Sequence, residues 1–242
     1  MAQPAYRQTP NATGSYQMPY GRIGGTMATL TSVAPERLPR GPHGLSRDQV
    51  ATSQRDRLCM AALEAVSELG YGPTTIGDIV SRARVARRAF YALFDSKEEC
   101  FTASFDFAVD VVTRKLDRVV AEAGASTFAD LVRTTLTAYL DCLVAEPAAA
   151  RALHIETLAA GPGLLAHRTR VQQMYANRMM AAARIGVREG VLRAVPDPQL
   201  INMLTGGIDD RVRATLIESG PGALRELTPT FNRAALALLG AA

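Results

Sequence analysis

Apolar positions along this chain recur at spacings of three and four, and no stretch alternates with a period of two. The first such face runs through Val50, Leu58, Ala62, Val66 and Leu69 and stops at Gly70, a residue suited to a helix C-terminus. Ser46-Arg47-Asp48-Gln49 has the form of a capping box at its start. After the turn Tyr71-Gly72-Pro73-Thr74, Thr75 opens a short helix with Asp78 three residues on and Ile76, Ile79 and Val80 facing inward. Ala83-Arg84-Val85 is a tight turn into a third helix, Ala86 to about Phe94. Ser96 and Glu99 are the next start signal, for a long helix from Lys97 to about Ala121. Further helical patterns cover 127–145, 148–160, 164–190, 197–218 and 222–239, separated by Gly124, Pro147, Gly161-Pro162-Gly163, Gly190, Pro196 and Gly220-Pro221-Gly222. The expected fold is all-α.

Residues 1–44 carry no helical period and are rich in Pro, Gly, Thr, Gln and Tyr; they read as a disordered tail, with Met27 as an alternative start. Residues 45–101 and 102–242 are taken as two expected domains. Charged residues interrupt every apolar stretch, so none is expected to span a membrane, and no signal peptide is evident; the cytoplasm is the expected compartment. Cys59, Cys100 and Cys142 lie in apolar helical patterns without a CxxC pair, as buried reduced thiols do.

The net charge of +4 conceals a neutral middle. Lys and Arg against Asp and Glu count four to one over 1–46, eight to eight over 47–101 and fifteen to fourteen over 102–242. Within the neutral segment, Arg82, Arg84, Arg87 and Arg88 cluster in a stretch that contains no acid. Such a cluster can face phosphate while the acids face solvent. Nothing matches GxSxG, HExxH, a P-loop or paired Glu-x-x-His sites, and His43, His154 and His167 are scattered. No enzyme activity, metal or cofactor is expected.

Three short helices with two tight turns suit a helix-turn-helix whose third helix enters the major groove. The runs Gly70–Val80, Val85–Phe94 and Ser96-Lys97-Glu98-Glu99 resemble the N-terminal domain of the tetracycline-repressor (TetR) family, over roughly residues 46–105. The Thr-Thr helix start, the Phe-Tyr-x-x-Phe pattern and the Ser-Lys-Glu cap all stand at that family's spacing. The resemblance implies a regulator, more often a repressor, that binds double-stranded operator DNA and is released by a small-molecule effector. Its DNA-contacting residues would be Thr75, Arg84, Arg87, Arg88, Ala89, Tyr91 and Lys97. Arginines at the start of the recognition helix can read guanine, and Lys97 would meet a phosphate. A solvated basic face accounts for the arginines as well, and capping alone accounts for Thr75. Two positions depart from the family. Arg84 stands where glycine is usual, which makes a left-handed turn costly, and Ala86 replaces a capping residue. Arg40 reads either as a linker residue or as an arm reaching a minor groove.

For residues 102–242 the resemblance implies an effector-binding and dimerisation domain. Leu200, Leu204, Ile208, Val212 and Leu216 line one stripe, and Leu224, Leu227, Phe231, Ala235 and Leu238 another. Two such helices from each subunit would build a four-helix homodimer interface, or the stripes would serve the chain's own core. Tyr139, His154, Glu156, Met174, Tyr175 and Met203 are the effector-site candidates, each also explicable as core or surface. The competing functions are a constitutive DNA-binding regulator without an effector and an enzyme built on a helical bundle.

Overall fold

A computed structural model describes residues 47–240. Helix α1 (Arg47–Leu69) turns Leu58, Ala62, Ala65 and Val66 inward and ends at Gly70, whose φ of +84° suits glycine. Leu69 is an exception to the expected apolar face; it is 44% exposed at the last turn. Helix α2 (Ile76–Ala83) starts on a complete capping box. The Thr75 hydroxyl accepts the Asp78 N–H at 3.2 Å, and the Asp78 carboxylate accepts the Thr75 N–H at 2.8 Å. Helix α3 (Arg87–Tyr91) is shorter than the expected Ala86–Phe94, and Ala86 supplies no side-chain cap. Helix α4 (Lys97–Glu122) begins on the Ser96 hydroxyl, which accepts the Glu99 N–H. Leu58, Ala62, Ile79, Phe90, Phe94 and Cys100 pack into one buried cluster that locks α1 to α4 together. The tail, Arg40 and the Ser46 cap lie outside the described residues.

The turn from α2 to α3 carries the conformational cost expected at Arg84. Its φ of 52° and ψ of 44° are left-handed, and among the described residues it alone has positive φ without being glycine. A β-carbon in that conformation costs roughly 1–2 kcal/mol. The Arg84 side chain is exposed, so Arg84→Gly removes strain without opening a cavity. We expect a gain of about 1 kcal/mol and a melting temperature higher by about 2–4 °C. A thermal melt that shows no increase would contradict this account of the turn.

Helix α4 continues past residue 101, so the expected domain boundary at 101/102 falls inside one unbroken helix. Its first half packs Phe101, Phe105 and Ala108 against Leu63 and Val66 of α1. Its second half packs Val112 and Leu116 against Ala138 and Cys142 of α5 (Phe128–Ala145). There follow α6 (Pro147–His154), a 3₁₀ segment (Glu156–Ala159), α7 (Pro162–Arg188), α8 (Pro198–Glu218), a second 3₁₀ segment (Pro221–Leu227) and α9 (Thr228–Leu238). The apolar pattern at 222–239 predicts a single helix, and the structure divides it in two. Pro229 is the reason, because its ring would clash with the carbonyl four residues back; it is tolerated only in the first turn of α9.

Most of the two stripes on the last helices is core, with Leu238 left exposed. Leu204, Ile208, Val212 and Leu216 are buried with Leu224, Phe231 and Ala235, against Phe128, Leu136 and Leu140 of α5. A dimer contact on these helices must therefore use their opposite face.

Candidate functional site

Helix α3 is only five residues long, so tertiary packing rather than propensity must hold it. Phe90 and Phe94 supply that packing. Both are fully buried, with ring centroids 5.6 Å apart, and the Arg55 guanidinium covers the Phe94 ring at 4.6 Å. The opposite face carries Arg87, Arg88 and Tyr91, all exposed, with Ala89 half-buried between. The Arg87 guanidinium lies 3.5 Å from the Tyr91 hydroxyl oxygen. No carboxylate among the described residues pairs with Arg84, Arg87 or Arg88, whereas Arg82 is held by Glu68 at 3.0 Å. The basic cluster is thus three residues rather than four. Its charge stands free at the start of a short exposed helix.

Thr75 and Lys97 sit beside this face but are committed elsewhere. The Thr75 hydroxyl also donates to the Asp78 carboxylate at 2.6 Å, and this bonding holds the Asp78 carboxyl below its usual range. The family resemblance puts Lys97 at a phosphate. Its ammonium instead donates to the carbonyls of Tyr71 (2.7 Å), Gly72 (3.1 Å) and Thr74 (2.8 Å), which uses its three N–H donors. It also lies 4.4 Å above the Tyr71 ring. Lys97 is a clamp on the turn before α2.

The structure brings three effector-site candidates together and disperses the other three. The Tyr139 hydroxyl lies 3.2 Å from His154 Nε2, and His154 Nδ1 lies 2.9 Å from the Asp209 carboxylate. Arg168 binds the other Asp209 oxygen. Burial, then the charges of Arg168 and Arg213, push the His154 pKa down to about 3. The ring is therefore neutral near pH 7; Nδ1–H donates to Asp209 and Nε2 accepts from Tyr139. Burial also raises the Tyr139 and Tyr175 hydroxyls. Tyr175 bonds Thr113 and shares an apolar cluster with Tyr139.

Met174 instead packs in the cluster around Leu63 and Phe101, and Met203 is 71% exposed. Glu156 faces the turn after α1, away from the His154 ring's partners: its carboxylate accepts the Tyr71 N–H. Sequence reasoning missed Asp209 and Arg168. The signal for Asp209 was an acid sharing the inward arc of α8 with Leu204, Ile208 and Val212.

A groove of about 630 Å³ opens beside this region. Lys115, Arg133 and Arg225 rim it, with Asp141 bonded to Arg225 at 2.7 Å. Val119 and Ala138 in its lining also pack in the Tyr139–Tyr175 cluster. Among the described residues no His, Cys, Asp and Glu group could hold a metal, and no helix is long and apolar enough to cross a membrane. All three cysteines are buried, and burial lifts Cys59 to about 12, so none is a reactive thiolate.

Residues 58–103 match the family described as bacterial regulatory proteins, tetR family. No curated protein shows significant sequence similarity to the chain. Among solved structures, the fatty acid degradation regulator FadR from Bacillus halodurans is similar with a TM-score of 0.66 and 20% identity, covering 77% of this chain and 95% of that one. FadR from Bacillus subtilis, in complex with stearoyl-CoA, gives 0.65 and 17%, over 75% and 97%. SmeT of Stenotrophomonas maltophilia, the repressor of the multidrug efflux pump SmeDEF, gives 0.61 and 21%, over 76% and 88%. At these identities the likeness is one of fold.

Proposed function

Because this chain belongs to the TetR family of transcriptional regulators, whose DNA-binding domain it carries in residues 58–103, we propose that it is a homodimeric repressor released from operator DNA by a small-molecule effector. The observation that carries the reading is the two-sided character of α3. Phe90 and Phe94 are driven into the core, and on the outside Arg87, Arg88 and Tyr91 meet no acid among the described residues. In this reading α3 enters the major groove, where Arg87 and Arg88 read base edges. Tyr91, Ala89 and Arg84 line the contact. Lys97 and Thr75 shape the turn that presents it.

The dimer contact falls on the outward faces of α8 and α9. Met203, Ile217 and Leu238 are exposed there at 71%, 62% and 44%, and added β-carbons at Gly206 and Gly207 would meet nothing within 4 Å. Exposed apolar side chains beside bare backbone suit close helix approach across a two-fold axis. Two reading heads must then stand about 34–36 Å apart to meet successive major grooves.

For the effector, the Tyr139–His154–Tyr175 region offers buried polar groups in an apolar setting. The cationic groove next to it suits a ligand with an apolar body and an anionic head. Long-chain acyl-CoA is the class to try first, since a structural neighbour was solved with stearoyl-CoA.

The test is operator selection from a random DNA pool, followed by titration of the selected duplex with and without stearoyl-CoA and shorter acyl-CoAs. We expect one dimer per palindromic site and an affinity that falls as a ligand is added. Failure to enrich any sequence would sink the DNA-binding reading. Enrichment with no response to the acyl-CoA series would remove that effector class.

A further inference from the structure

We infer that Glu156 is a positioning residue, the polar link through which the C-terminal helices set the placement of the DNA-reading head. The inference rests on the reading of α3 as the DNA-contacting surface. Glu156 opens the 3₁₀ segment after α6 and is only 8% exposed. One carboxylate oxygen accepts the Tyr71 N–H at 3.1 Å, across 85 residues of sequence; the other accepts from Arg151 at 3.2 Å. A buried carboxylate with two donors is costly to disturb, because loss of either partner leaves a desolvated polar group.

Its target is the segment that fixes where α2 begins. Tyr71 starts the turn that Lys97 clamps through three carbonyls, and the Tyr71 ring packs on Phe101 at 5.2 Å. In the same turn the Thr74 hydroxyl donates to the Gly70 carbonyl at 2.7 Å, and Thr75 caps α2. Gly70 lies against the latch; a β-carbon there would stand 3.6 Å from Glu156 Oε2. Lys97 therefore holds this turn from within the DNA-binding helices, and Glu156 holds it from the 3₁₀ segment that follows α6.

The same short segment faces the buried network. His154 is two residues before Glu156, and its ring is fixed by Tyr139 and Asp209. A change in the contacts of His154 has to shift the end of α6, and with it the carboxylate that holds Tyr71. That makes Glu156 the physical connection between the Tyr139–His154–Asp209 network and α2.

The experiment compares full-length Glu156→Ala and Glu156→Gln, each with and without Tyr139→Phe, using an operator selected with the native protein. Hydrogen exchange over residues 70–75 reports the latch without any DNA. We expect Glu156→Ala to raise exchange there at least tenfold and to weaken operator binding three- to tenfold. Glu156→Gln keeps an acceptor oxygen for the Tyr71 N–H and gives up only the bond to the solvent-exposed Arg151, which water can replace, so it should stay within twofold on both readouts. Tyr139→Phe should change operator affinity in the native and Gln backgrounds and leave it unchanged in the Ala background, since the connection is already cut. Equal effects of Tyr139→Phe in all three backgrounds would overturn the inference, as would native exchange at residues 70–75 in Glu156→Ala. Should the Ala variant fail to fold, a loss of tenfold or more in Glu156→Gln would overturn it too. If the native protein selects no operator, the DNA-binding reading fails, and exchange at residues 70–75 still decides whether the latch exists.

Discussion

Replacing Arg87 and Arg88 together by alanine is expected to cost at least about thirtyfold in operator affinity and to flatten the preference for operator over unrelated DNA. That magnitude follows from roughly 1–3 kcal/mol for each arginine that touches a base edge. Both side chains are exposed and neither is paired with an acid among the described residues, so truncation removes only the exposed Arg87–Tyr91 contact and leaves no buried charge behind. Alanine is also a better helix former than arginine, so α3 should not unravel. Binding and stability are therefore separable here. Melting should stay within about 2 °C of the native protein, since exposed substitutions of this kind usually change stability by under 0.5 kcal/mol. The single variants distinguish base reading from phosphate binding. Removing an arginine that reads a base relaxes the preference at that one position. Removing one that holds a phosphate weakens binding to every sequence and lowers the salt slope by about one. A double variant that bound operator as tightly as the native chain would move the interface away from α3.

How much of this was legible in the sequence depends on what kind of force places each residue. Capping chemistry is local, so Thr75 with Asp78 and Ser96 with Glu99 could be read directly and appear as expected. The strain at Arg84 was legible through the family resemblance, since glycine is usual at that turn position and a β-carbon makes its left-handed backbone costly. Phe90 and Phe94, four apart, both lie in the core, as residues one helical turn apart can.

Long-range polar pairing was not legible. Nothing in the run around Glu156 says that its carboxylate will meet the Tyr71 amide rather than a ligand. Nothing around Lys97 says that three carbonyls of an earlier turn will take its ammonium before a phosphate can. The apolar stripes on α8 and α9 could be seen, but whether a second copy or the chain's own core covers them could not; Leu204, Ile208, Val212 and Leu216 lie in that core, and Leu238 is exposed. A stripe shows which face is apolar, and only tertiary contacts say whether the chain itself or a second copy covers it.

Acidification is expected to destabilise the C-terminal helices by a few kcal/mol through His154 alone. In the folded chain this histidine is held down to about 3, against an ordinary 6.5, by burial first and then by the nearby charges of Arg168 and Arg213. A pKa depressed on folding means that the unfolded chain binds the proton more readily. The stabilisation is thus complete above about pH 6.5 and drains away as pH falls toward 3. At about 1.4 kcal/mol per pH unit, most of that window amounts to something on the order of 4 kcal/mol.

The Asp209 carboxylate, 2.9 Å from the ring, works in the opposite direction by favouring the imidazolium. It is, however, already shared with Arg168, so its charge is largely neutralised before the histidine can use it. Tyr139, the other group on the ring, can offer its hydroxyl proton to a neutral Nε2 but not to a protonated one. Denaturant titrations between pH 7 and 4 should therefore show a steeper loss of stability in the native chain than in His154→Gln. Carboxylates that titrate at the acid end act in both proteins and cancel in the comparison. Parallel curves would mean that the ring takes up its proton as easily folded as unfolded. In that case Asp209, not burial, would control it, and the network around the proposed effector region would be ionic rather than a chain of neutral hydrogen bonds closed on one carboxylate.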